Sequence, residues 1–364
     1  MKSAEAVGVV QAGATGVVAD MFREYAGRPD SPFSLEAVAT ANHPELHGKR
    51  LGEAGIDVPS SLEDVPVISM TDAIENTDAP LVFSGLQTKI AARYEDRLAA
   101  GRLVVTNASA NRERPDVPVV SAFTNPQQID QLFARDMEGR IIAGGNCMAA
   151  IMSVPLAPIH RAIGIESMAV STMQGWSGAG LKELPEDPGT GHIPIEGDEQ
   201  KKIQTEPNEF LSPDMDIPEA ILIGAEPRRG PWLRGHHAQM ALTLARDTSK
   251  QEIEALWRGF EAPEELGEVR SQIRAVSQIG GDKWPKRHQP IRPVKLEHGG
   301  LLFTNATPNR LNRIQPMRVH AHIMGFDPVD PRRVVLEVAG DNLIQGAAGG
   351  NILNAIYARS QGYI

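Results

Sequence analysis

The apolar positions change period several times along the chain, and those changes divide it into elements. Val7–Ala12 (VGVVQA) is a short apolar run, followed by Gly13-Ala14-Thr15-Gly16 and then by apolar positions at helical spacing over Val17–Tyr25. That sequence of patterns predicts strand, tight turn and helix. Leu81–Phe83 and Leu103–Thr106 (LVVT) repeat the strand pattern, with a helical pattern at Thr88–Ala100 between them; Val117–Ser121 (VPVVS) and Arg140–Ala143 follow as further strands. Short apolar strands alternating with helical stretches predict a parallel sheet with crossover helices. After Cys147 the run MAAIMSVPLAPIHRAI reads as a helix ending near Gly164, and Met168–Thr172 reads as a strand. Residues 178–220 are rich in Gly, Pro and acidic residues and read as loop. Ile221–Ala225, Ala238–Leu244 and a helical pattern at Lys250–Phe260 predict an open antiparallel sheet with helices, and 279–310 is again loop-rich. The last patterns are a strand at Arg333–Val338 and a Gly-rich turn and helix over Gly340–Ala358.

Composition narrows the function class. A chain of 364 residues exceeds what one core normally spans, so two domains are expected. The net charge is −10 and no basic tract of five or more residues occurs, which argues against a nucleic-acid or anionic-membrane partner. No apolar run approaches the ~18 residues of a membrane-spanning helix. The strand–turn pattern begins within the first few residues and leaves no room for a signal peptide, so a cytoplasmic location is expected. There is one cysteine, which excludes an intrachain disulfide; it is either a packed small hydrophobe or a nucleophile.

Four segments could carry chemistry. Gly13-Ala14-Thr15-Gly16 lies between a strand and a helix, where glycines admit a pyrophosphate to backbone amides; with Ala19 in place of a third glycine it also reads as an ordinary turn. Gly144-Gly145-Asn146-Cys147 puts the only thiol at the start of a helix, whose dipole and amides favour a thiolate and an oxyanion. The two glycines open space around it. Met173-Gln174-Gly175-Trp176-Ser177-Gly178-Ala179-Gly180 delivers a glutamine from a strand into a loop of small residues. The stretch from Arg229 to His236, with Trp232 and Arg234 between, offers a carboxylate-binding guanidinium and an acid–base imidazole.

In this order and at these separations, the four segments resemble the aspartate-β-semialdehyde dehydrogenase family of the archaeal and fungal type. DAPLVFSGL (78–86), VVTNASANRERPDVPVV (104–120), TNPQQID (124–130), GGNCMAAIMSVPLAPIHRAIGIESMAVSTMQGWSGAG (144–180) and GDNLIQGAAGGNILNA (340–355) carry the resemblance. It implies an α/β fold: a Rossmann-like NAD(P)-binding domain over 1–146, completed by 335–364, and an α+β catalytic and dimerisation domain with a mixed sheet over 147–334. It implies Cys147 as nucleophile, Gln174 orienting the thioester and His236 as acid–base. Arg229 would hold the substrate carboxylate, Glu199 the substrate amine, and Arg112 with Lys202 (or Lys201) the phosphate, with Asn146 beside them. Gly13, Ala14, Thr15, Gly16, Ser84, Gly85, Ser177, Gly178 and Asn342 would line the site of NADP, or of NAD. The reaction implied is the reversible, NAD(P)-dependent reduction of L-aspartyl-4-phosphate to L-aspartate-4-semialdehyde with release of phosphate, by a homodimer or homotetramer. The alternatives are a related acyl-phosphate or acyl-CoA reductase, malonyl-CoA-reductase-like, and a non-catalytic nucleotide-binding relative.

Departures fall on the substrate side and, in the loop the family uses for the 2′-phosphate of NADP, on the cofactor side. Met148-Ala149 follows the cysteine where the family carries small hydroxyl residues, and ATANHPELHGK (39–49) lacks the family's Ser-x-Arg-Ser; Asn42, His43, His47 and Lys49 stand there instead. Arg313 and His320 repeat the Arg229–His236 offset, but lie too close to the closing GDN segment for the family's arrangement. His320 and His322 share one strand face, but with no third ligand in view no metal is expected.

Overall fold

The computed structural model describes residues 6–179, 193–216, 219–230, 235–266, 276–279, 293–295, 301–303 and 319–364. The fold is α/β and divides into two compact units. The first gathers the chain up to Ser121 with Pro126–Gly145 and Ala348–Ile364, and the second holds Ala122–Asn125 and Asn146–Ala347.

The first unit is built on six strands: β1 (Val7–Ala12), β2 (Phe33–Thr40), β3 (Val67–Ser69), β4 (Leu81–Ser84), β5 (Leu103–Thr106) and β6 (Arg140–Ala143). They are ordered β3-β2-β1-β4-β5-β6 and every pairing is parallel, the doubly wound arrangement of a dinucleotide-binding fold. Every residue of β4 and β5 is buried, which explains why these strands read as continuous apolar runs rather than alternating ones. The crossover helices are α1 (Val17–Ala26), α2 (Met70–Glu75), α3 (Thr88–Ala99) and α4 (Gln127–Ala134). Helix α1 docks by stacking Phe22 on Phe83, with ring centroids 4.1 Å apart. Burying each ring stabilises by roughly 1.5–3 kcal/mol.

Val117–Ser121 is not a strand. Pro118 has no N–H for a ladder, and the segment makes only an isolated bridge, Val119 to Ala143.

In the second unit, helices α5 (Cys147–Ile163), α6 (Glu199–Leu211) and α7 (Lys250–Gly259) accompany a seven-stranded mixed sheet. Its strands are β7 (Ile165–Gln174), β8 (Ile193–Pro194), β9 (Leu222–Arg229), β10 (His236–Leu244), β11 (Val276–Ile279), β14 (Val319–Phe326) and β15 (Arg333–Gly340); a separate hairpin pairs β12 (Pro293–Lys295) with β13 (Leu301–Phe303). The order is β11-β14-β15-β10-β7-β9-β8, with β7–β9 and β11–β14 parallel and the rest antiparallel.

Two expectations are corrected here. Residues 178–220 include helix α6, whose polar sequence hides a buried stripe of Ile203, Glu206, Pro207, Phe210 and Leu211. The return to the first unit begins at Ala348, with α8 (Ala348–Ser360), and not at 335, because Arg333–Gly340 pairs with β10 and β14.

Period-two burial runs through β7 and β10: Met168, Val170, Thr172 and Gln174 on one, His236, Ala238, Met240, Leu242 and Leu244 on the other. Their apolar members share one core with Met148, Ile151, Met152 and Ile203 of α5 and α6. The inward face of the sheet therefore begins apolar and ends in chemistry. No described helix is long and apolar enough to cross a membrane.

Candidate active site

One register row collects the ends of four strands, three of them polar. His236, the first residue of β10, is opposite Gln174, the last of β7, and opposite Gly340 of β15; Gln174 is in turn level with Arg229, the last of β9. Residues level across a sheet point to the same face. Helix α5 brings its first residue, Cys147, to this row: Sγ lies 3.0 Å from His236 Nε2.

The start of α5 is held by Asn146. Its Oδ1 accepts from the N–H groups of Met148 (2.9 Å) and Ala149 (3.1 Å), the arrangement of a helix N-cap. Two of the amides expected to hold an oxyanion are therefore committed to the cap. Nδ2 of the same side chain donates to Glu199 (2.9 Å) and carries a second hydrogen. The backbone N–H of Asn146 donates to Glu206. Gly346 lies against the nucleophile from another side: a Cβ there would fall 2.4 Å from Cys147 Cβ.

Around His236, the N–H of Gly175 donates to Nδ1 (3.1 Å), so the neutral ring carries its hydrogen on Nε2, facing the sulfur. In this state the ring donates to sulfur, the reverse of an imidazole waiting to accept the thiol proton. Gly178 is placed directly on the ring; a Cβ there would sit 3.0 Å from Nε2. Asn342 accepts from the N–H of Gly235, next to His236 (2.9 Å), and donates to Ser177 Oγ (3.0 Å). Both side chains are buried, and they brace the loop carrying His236.

Gln174 donates to Glu199 (2.8 Å) and, more weakly, to Thr172 (3.3 Å). Arg229 donates to the carbonyl of Gly175 (3.2 Å) and lies 5.9 Å from the centre of the Trp176 ring. Burial pulls its pKa below the ordinary arginine value, while the charges of Glu199 and Cys147 pull the other way. A guanidinium stripped of water binds an incoming carboxylate more strongly than an exposed one. Lys202 is in an ion pair with Asp198 at 2.9 Å.

The first unit carries the other expected residues. The turn Gly13–Gly16 follows β1, with Gly13 at φ 100°, a conformation that favours glycine. Gly85 follows the neighbouring β4, and a Cβ on Gly13 would meet its carbonyl oxygen at 3.2 Å. These two bare backbones meet where the strand order reverses, the place a dinucleotide occupies in such sheets. Gly16 opens α1 with no side-chain cap, leaving the first-turn amides to a phosphate. The last residue of β2 and the two after it, Thr40-Ala41-Asn42, offer no carboxylate to grip a ribose 2′-hydroxyl, which suits a 2′-phosphate. Beside it His47 meets Thr40 (3.0 Å) and His43 meets Glu45 (3.1 Å).

Ser84 is fully buried and its hydroxyl donates to Glu95 (2.6 Å), so a ligand contact at this position falls to the backbone. Thr106 (2.5 Å) and Asn111 (2.8 Å) donate to the same carboxylate. Arg112 donates to the carbonyl of Asn107 at 2.7 Å.

Sequence reading missed Glu95, Glu206 and Gly346. The legible signal for Glu206 is a carboxylate inside the apolar stripe of α6, three residues after Ile203 and four before Phe210. Gly180, Trp232, Arg234 and Arg313 lie outside the described residues. Among the described residues no group of three or more His, Cys, Asp or Glu side chains gathers to hold a metal.

The profile of the family described as "Semialdehyde dehydrogenase, NAD binding domain" matches residues 6–132. The chain is 29% identical to aspartate-semialdehyde dehydrogenase of Methanothermobacter thermautotrophicus, over 96% of this chain and 97% of that protein. It is 28% identical to the protein of that name from Archaeoglobus fulgidus, over 96% of each. Its fold is that of aspartate semialdehyde dehydrogenase with NADP from Candida albicans, with a TM-score of 0.77 at 22% identity, covering 98% of this chain and 100% of that one.

Proposed function

Because this chain belongs to the aspartate-semialdehyde dehydrogenase family, we propose that it interconverts L-aspartyl-4-phosphate and L-aspartate-4-semialdehyde through a thioester on Cys147. The observation that carries this reading is the 3.0 Å approach of Cys147 Sγ to His236 Nε2 at the end of the row shared with Gln174 and Arg229.

Cys147 sulfur attacks the acyl carbon as a thiolate, favoured by the start of α5 and by the Nε2–H of His236. Arg229 holds the substrate carboxylate, and Glu199 its ammonium. Asn146 turns the second hydrogen of Nδ2 toward the tetrahedral oxyanion; one such donor is worth roughly 10²–10³ in rate. Phosphate leaves toward Arg112 and Lys202, and the acyl group stays on sulfur while Gln174 orients its carbonyl. The Gly13–Gly16 turn and Gly85 of the first unit would hold NADP, or NAD in its place, with Ser177, Gly178 and Asn342 as the contacts expected from the second, and the bound cofactor would supply the hydride that reduces the thioester. His236 Nε2–H then hydrogen-bonds the oxyanion left by hydride addition, and its collapse re-forms the carbonyl, releasing the aldehyde and the Cys147 thiolate.

The chain works in the cytoplasm as a homodimer or homotetramer on this reading. The outer face of the seven-stranded sheet supports self-association: Leu222, Met324 and Val335 are 77%, 50% and 38% exposed there, apolar side chains set among polar ones such as Ser171 and Gln239. Sedimentation of the wild-type chain as a monomer would rule it out.

The experiment for the reaction is phosphate-dependent reduction of NADP and of NAD with L-aspartate-4-semialdehyde, beside Cys147→Ala. Turnover in the wild type, lost in the variant with NADP binding intact, is the expected result. Turnover retained by the variant refutes the covalent route. A folded wild type inert toward the semialdehyde refutes the substrate, and acyl-CoA thioesters are then tested.

A further inference from the structure

Helix α6 grips the residue before the nucleophile at two points. Glu199 accepts from the side chain of Asn146, and Glu206 accepts from its backbone N–H. The two carboxylates are seven residues apart, two helical turns, and so project from one face of α6. Glu199 begins the helix, whereas Glu206 is 6% exposed and lies in the stripe with Ile203 and Phe210. A carboxylate rarely occupies such a position without a specific partner, because withdrawing it from water is costly. Here one partner is the N–H of the residue that caps α5.

The geometry points to Glu206 as a positioning residue for Cys147; we propose that its oxygen fixes the Asn146 peptide and, through the cap, the direction of the thiol. The chain of contacts is continuous. Glu206 orients the peptide, Asn146 Oδ1 takes the amides of Met148 and Ala149, and Cys147 between them faces His236. Without an acceptor at 206 the N–H is buried and unpaired, and the cap is free to rotate out of line. The role goes beyond substrate binding, although its kinetic test rests on the reaction proposed above.

Three variants separate position from mere stability. Glu206→Gln keeps an oxygen at the same reach; Glu206→Asp keeps the charge but withdraws the oxygen by one methylene; Glu206→Ala removes both. Each is measured by thermal melting, by kcat and KM for the phosphate-dependent reaction, and by the rate of iodoacetamide alkylation of Cys147. The expected result is Glu206→Gln within about threefold of wild-type kcat, and Glu206→Asp lowered by about tenfold or more at unchanged KM, since small misplacement of a reacting group is expensive. Alkylation should change in Glu206→Asp, with a normal melting curve. Wild-type kcat and alkylation in folded Glu206→Asp or Glu206→Ala overturns the proposal, as does Glu206→Gln failing as badly as Glu206→Asp. If Glu206→Ala does not fold, the Gln–Asp comparison decides. Alkylation needs no substrate, so it tests Glu206 even if the wild type proves inert toward the semialdehyde.

Discussion

Gln174 and Glu199 are joined by a 2.8 Å hydrogen bond between the end of a sheet strand and the first turn of a helix. The same oxygen of Glu199 also accepts from Asn146, so one carboxylate aligns two amides beside Cys147. If Glu199 served only the substrate amine, its loss would not matter to a substrate without one. The expected outcome is otherwise: with succinate semialdehyde, Glu199→Ala should lower kcat by roughly tenfold, while Glu199→Gln, which keeps the acceptor, should stay near wild type. Equal rates for wild type and Glu199→Ala on that analogue would confine the residue to amine recognition.

Gly346 tests how tightly the nucleophile is packed. A methyl group at 346 would overlap Cys147 Cβ at 2.4 Å and its Cα at 2.5 Å, both part of the backbone or rigidly attached to it. Gly346→Ala should cost about 1–3 kcal/mol in stability and displace the thiol, with kcat falling more than KM rises. A variant with unchanged melting and unchanged kcat would show that this approach is looser than described.

Glu95 gives a pH prediction. Burial raises its pKa above the usual carboxylate value, and the hydrogen bonds from Ser84, Thr106 and Asn111 only partly offset that. A raised acid pKa makes the folded state bind the proton more tightly than the unfolded state, so the contribution to stability is greatest below the unfolded value of about 4.5 and is lost as pH rises through the folded one. Glu95→Gln removes that loss. Its melting temperature relative to wild type should rise between pH 4.5 and neutrality, and a gap that stays constant with pH would contradict the prediction.

Much of the fold was legible because the chemistry of burial leaves periods in the sequence. Strands β1, β4, β5 and β6 appear as apolar runs, since parallel strands covered on both faces have no polar alternation to show. Helix α6 was hidden because its first turn reads EQKK and Pro207 interrupts it, so local composition resembled a loop. The segment 117–121 misled in the other direction: its β-branched residues promise a strand that Pro118 forbids. Strand β15 was assigned to the wrong unit because pairing partners far apart in sequence leave no local mark. Within the site, Cys147, Gln174, Arg229 and His236 stood out by type and spacing. Glu95, Glu206 and Gly346 did not, because each acts by what it touches, and those neighbours are distant in the chain.

His236 has a histidine for its neighbour, and the two point to opposite sides of the sheet, His237 pairing with Glu337 on the outer face at 2.5 Å. Strand pairing alone therefore chooses which imidazole meets the sulfur. A slip of β10 by one residue would present His237 to Cys147, turn His236 outward, and carry the whole buried face of Ala238, Met240 and Leu242 into water. Misalignment here cannot yield a slightly impaired enzyme: the same shift that exchanges the imidazoles also unmakes the core, so chains that fold are already sorted for the correct histidine.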